Sequence, residues 1–131
     1  MRRTRYNEGL VALKKVAQAN RTFITQYPDK SLSGLISNTD TNIFTGTCKD
    51  NIDSTKTAVL VQCGYLIKDN WDSLAFNIYV CNPLSDAGGG CCAKGRYASM
   101  KYKNLAATST ATDYCGYINS NMELQEVGTP W

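Results

Sequence analysis

Six cysteines, Cys48, Cys63, Cys81, Cys91, Cys92 and Cys115, are the residues of this 131-residue chain best suited to chemistry. An even number in a small chain reads as a disulfide framework, which forms and persists in an oxidising compartment. Buried free thiols are the alternative. A bridge between the neighbours Cys91 and Cys92 would be strained and therefore reducible, a redox pair in principle. Two separate structural bridges are the favoured reading. Several pairings stay open; the preferred one joins Cys48 to Cys63 and leaves Cys81 and Cys115 to share Cys91 and Cys92. Each bridge would add about 2–4 kcal/mol, mostly by restricting the unfolded chain.

Other chemistry is sparse. The chain has no histidine. That removes Ser-His-Asp and Cys-His catalysis and most zinc and copper sites. The cysteines lack the paired Cys-x-x-Cys spacing of an all-thiolate zinc site. Asp50-Asn51-Ile52-Asp53 could offer loop oxygens to calcium but lacks the full ligand spacing, so it reads as a solvated turn. Asp69 and Asp72 flank Trp71 and suit a turn. Gly88-Gly89-Gly90 has no following Lys-Ser/Thr and is a flexible turn, not a phosphate loop. Lys94, Arg96, Lys101 and Lys103, interleaved with Tyr97 and Tyr102, could touch an anionic polymer but read as the polar face of a strand. Asn20-Arg21-Thr22 is a formal glycosylation sequon in a helical setting that argues against its use. A net charge of +3 is too mild to name nucleic acid as a main partner. No enzyme, cofactor, metal or small-molecule substrate is expected.

The elements that position these residues follow from hydrophobic period. Residues 3–26 read as one helix. Tyr6, Leu10, Leu13, Ala17 and Ile24 fall on one stripe, and Arg5, Glu8, Lys14, Lys15, Gln18 and Arg21 lie mostly off it. Pro28 ends it, because the residue before proline is pushed out of helical geometry. Val11 and Val16 sit away from the stripe, which makes the helix apolar on a second side. Such a helix either packs deeply against a sheet or meets neighbouring subunits. Residues 29–54 form a long polar loop with a short helical turn at 32–36, stapled by Cys48. The period then changes to alternation. Val59, Val61, Cys63, Tyr65 and Ile67 share one face of a strand at 57–67. Leu74, Phe76, Ile78 and Val80 do so at 73–81, and Ala98, Met100 and Tyr102 at 96–103. Lys68-Asp69-Asn70 joins the first two as a hairpin with Trp71 at its edge, and 114–118 adds a short fourth strand. The expectation is one α+β domain over 1–131: a helix at 1–27, a loop at 28–56, an antiparallel meander of three or four strands across 57–118, and a tail at 119–131.

A disulfide-bonded chain must be exported. Yet Met1-Arg2-Arg3-Thr4-Arg5 opens without an apolar export core. The expectation is that the natural N-terminus has been cut away, the alternative being a cytosolic chain with free thiols. This order of parts resembles the globular portion of type IV pilins and the pseudopilins of type II secretion. The stretch from Arg5-Tyr6-Asn7-Glu8-Gly9-Leu10-Val11-Ala12-Leu13 to Lys14-Lys15-Val16-Ala17-Gln18-Ala19-Asn20-Arg21-Thr22-Phe23 looks like that family's amphipathic half-helix. The family's leader, apolar half-helix and acidic residue near the mature N-terminus are absent, and Glu8 does not stand in for that acid. Six cysteines also exceed the family's usual pair, so no pairing carries over.

The resemblance implies a structural subunit, major or minor, of a cell-surface filament. Such a subunit is held in the inner membrane by an upstream apolar helix before assembly. It packs against other subunits through Tyr6, Leu10, Val11, Leu13, Val16, Ala17 and Ile24. A secreted, disulfide-rich binding or adhesion module is the alternative, with its helix wholly intramolecular.

Overall fold

The computed structural model describes residues 2–30, 32, 34–36, 57–67, 70–83, 96–103 and 114–129. Helix α1 runs Arg2–Gln26. It is followed by β1 (Gly34–Ile36), the short helix α2 (Val59–Gln62), a 3-10 turn (Trp71–Ser73), β2 (Phe76–Val80), β3 (Arg96–Tyr102), β4 (Cys115–Asn119) and β5 (Leu124–Val127). The five strands form one sheet in the order β1-β2-β3-β4-β5, every neighbour antiparallel. The architecture is α+β, one long helix on an antiparallel meander.

The helix ends where Pro28 requires, with the Tyr27 amide still reaching the Phe23 carbonyl at 2.9 Å. Leu13, Val16, Ala17 and Phe23 are fully buried against Phe76, Ile78, Val80, Ala98 and Met100. Alternation along β2 sets Phe76, Ile78 and Val80 facing α1, and register continues that row through Ala98 and Met100 to Ile118. Helix and sheet come close at Gly9, where a Cβ would sit 2.7 Å from the Phe76 ring. A glycine inside a helix loses about 0.5–1 kcal/mol against alanine; here it lets helix and sheet come together. Asn20, also fully buried, donates its Nδ2 protons to the Cys81 and Tyr97 carbonyls, each at 2.8 Å. This pins the helix beside the register shift between Arg96 and Ala98.

Several expectations are corrected. Val16 lies in the middle of the buried face, not on a second side. In place of the helical turn expected at 32–36, Gly34–Ile36 is an edge strand, its Leu35 paired with Tyr79. Residues 57–67 are not a strand. Val59 and Leu60 are buried side by side, and Ile67, expected on the same face as Val59, is 89% exposed. The chain instead makes α2, closed by Gly64 at a φ of +79°. The Gly64 amide reaches the Val61 carbonyl and the Tyr65 amide reaches the Leu60 carbonyl. Those are the two bonds of a glycine-terminated helix end. With no strand at 57–67, the hairpin expected there has no first strand; Lys68 and Asp69 lie outside the described residues. Trp71 is buried in the core instead of lying at an edge.

Among the described residues the strands therefore number five, because the sheet gains β1 and β5 and loses 57–67. The tail expected at 119–131 contains β5. Its hairpin turns on Asn119, whose Oδ1 accepts the Asn121 and Glu123 amides at 3.0 Å each, with Met122 in the left-handed region at φ 62°.

Candidate functional site

The two flanks of α1 differ. Tyr6 and Ala12 are about 120° apart around the axis at 3.6 residues per turn. On the Ala12 flank, Ala12 and Ala19 recur two turns apart and carry nothing beyond Cβ. Their small size opens a groove of about 620 Å³ between the helix and Tyr65, Leu66, Ile67 and Trp71. Leu66 and Trp71 contribute its apolar wall, while Lys14, Lys15 and Gln18 stand exposed on its helix side. A second groove of about 510 Å³ continues toward the helix N-terminus, shares Ala12, and reaches Glu8, Val11 and Leu74. Val11 is 53% exposed here. A solvent-facing Val11 and Ile67 in one continuous depression form an apolar strip rimmed by charge, the usual make-up of a contact surface.

The opposite flank is closed by hydrogen bonds. The Tyr6 and Tyr114 hydroxyls both donate to Glu126 Oε2, at 2.6 and 2.7 Å. Burial, then the neighbouring Glu126 carboxylate, pushes the Tyr6 hydroxyl up to about 12. The same causes raise Tyr114 further. Tyr114 reaches Glu126 across Gly116, where a Cβ would meet its hydroxyl at 2.5 Å. Phe76 and Tyr102 stack at 4.1 Å beside it. Near the other end of the helix the Tyr65 hydroxyl donates to Gln26 Oε1. The cluster fastens β5 to α1 and holds its carboxylate in place.

The expected packing residues divide between these surfaces. Leu13, Val16 and Ala17 belong to the core, Tyr6, Leu10 and Ile24 are half-buried against it, and Val11 alone of the set is exposed. Cys63, Cys81 and Cys115 are disulfide-bonded, not free thiols. Their pairing, with Cys48, Cys91 and Cys92, lies outside the described residues. Cys81 and Cys115 fall on the sheet face away from α1, where the Cys81 sulfur lies 3.5 Å from the buried Ser99 hydroxyl.

Of the expected basic cluster, Lys103 Nζ donates to the Trp71 and Asp72 carbonyls at 3.2 Å each, while Lys94 and the Arg96 side chain lie outside the described residues. Asn20, buried with its amide protons engaged, cannot carry a glycan in the folded chain. The Asp50–Asp53 and Gly88–Gly90 motifs lie outside the described residues. Among the described residues no three His, Cys, Asp or Glu side chains group as a metal site, and no helix is long and apolar enough to cross a membrane.

Sequence reasoning missed the groove and the Tyr6–Tyr114–Glu126 cluster. The seven-residue spacing of Ala12 and Ala19 was the available signal for the first; nothing local announces the second. Compared with family models, curated proteins and solved structures, the chain matches none.

Proposed function

We propose that this chain is the head of a structural filament subunit of the type IV pilin or secretion-pseudopilin kind. It would be exported, and it would assemble through its N-terminal helix. The observation that carries the reading is the helix itself. At 25 residues it is about twice the length of an ordinary globular helix. Between Arg3 and Glu8 only Tyr6 is even half-buried, and the Ala12 flank of the helix stays open along several turns. A helix needed only for its own domain gains nothing from that excess. Bonded cysteines agree with an oxidising, extracytoplasmic setting. In this reading an apolar half-helix upstream of Arg2 anchors the subunit in the inner membrane, and other subunits are its partners. No catalytic step is assigned.

The test is to express the chain with its natural upstream sequence and image sheared cell-surface material. Filaments containing the chain are expected. Export as a processed, soluble monomer would replace this reading with that of a secreted binding module.

A further inference from the structure

We propose that the groove on the Ala12 flank of α1 receives the β4–β5 hairpin of a second copy of this chain. The inference deepens the filament reading and rests on it for the biological setting. The two surfaces are complementary in charge. Among its described residues the lining of the larger groove carries Lys14 and Lys15 and no acid. Residues 115–129 carry Glu123 and Glu126 and no base. They also match in apolar content: Ile67 stands exposed at the groove, and Val127, half exposed, stands on β5.

Placement decides what such a contact builds. Tyr6 ties β5 to one flank of α1, and the groove opens on the other. Donor and acceptor surfaces thus lie on opposite sides of one molecule. A contact between unlike surfaces leaves one of each free on every pair and so extends into an open chain, or a ring where the rotation closes, whereas a self-complementary patch closes as a dimer. Glu126 is held by two tyrosine hydroxyls, so Glu123 is the acid presented to the lysines. β5 is the last strand of the sheet, with Gln125 through Thr129 exposed beside it.

Charge reversal tests the contact on the whole chain by sedimentation at low salt, with unchanged thermal midpoints confirming that each variant folds. The wild type is expected to form species whose size grows with concentration and falls as salt is raised. K14E/K15E and E123K should each weaken association about tenfold or more. Combining all three substitutions in one chain should restore it, because the reversed charges face each other again. Wild-type-like association of either variant, or no recovery in the combined chain, overturns the proposal. So does a wild type that stays monomeric at millimolar concentration. That result leaves the filament reading standing, since it places assembly in the N-terminal helix, whereas absence of filaments from the exported chain removes that reading.

Discussion

Asn20 concentrates much of the fold's specificity in one side chain. Its two Nδ2 protons go to the carbonyls of Cys81, just after β2, and of Tyr97 in β3, and its Oδ1 is buried without a partner among the described residues. Asn20→Ala would remove both contacts, leaving the Tyr97 carbonyl its bond from the Cys81 amide, and should cost about 1–3 kcal/mol in chemical denaturation. Asn20→Asp should cost more, because it turns a carboxylate toward two carbonyl oxygens. A loss below that of an ordinary surface substitution would show that the carbonyls find other donors.

Tyr114 makes a pH-dependent contribution. The neutral forms of Tyr6 and Tyr114 are favoured in the folded chain, each titrating above the ordinary 10.0. The native state therefore holds protons that the unfolded chain releases. Stability from these groups is fully present below pH 10, falls as pH rises toward about 12 through Tyr6, and continues to fall through Tyr114. Tyr114→Phe should lower stability by about 1 kcal/mol at neutral pH, through the lost bond to Glu126. It should also make the alkaline decline shallower. Thermal melts at pH 7 and in a series above pH 10 measure both, and an unchanged alkaline slope would count against the assignment.

At the scale of elements, the helix–sheet contact is set by Gly9. On an exposed helix, glycine to alanine is stabilising. Here the new methyl meets the buried Phe76 ring, itself backed by Tyr102, so Gly9→Ala should destabilise by about 1–3 kcal/mol through overpacking. A stabilised variant would mean that helix and sheet separate freely.

The same scale explains what the sequence made legible. α1, β2 and β3 carry strong, uninterrupted periods and a proline stop, and they lie where expected. Residues 57–67 also alternate, yet Gly64 supplies a helix end and the core takes Val59 and Leu60 together. Tertiary burial overrode a period that looked like a strand. β1 and β5 are short edge strands with too few residues to show a period. The helix stripe was drawn through Tyr6 and Ile24, which turned Val16 outward, because the deciding partners, Phe76 and Met100, are distant in sequence. The groove rests on two alanines, a residue type that reads as neutral until something large is absent beside it.

For the molecule as a whole, the account joins three properties: bonded cysteines, a helix longer than its domain needs, and opposite surfaces of opposite charge. Reduction should lower the thermal midpoint, each broken bridge removing about 2–4 kcal/mol; six reactive thiols in the untreated denatured chain would contradict the bonded state. The most direct measurement of the central claim, assembly through the helix, is the filament yield of the exported subunit bearing Val11→Glu. Val11 is half exposed, so the monomer should fold and reach the surface as the wild type does. The account predicts normal amounts of exported monomer with filaments lost or sharply reduced. Filaments at wild-type yield, with a glutamate on that flank of α1, would contradict it.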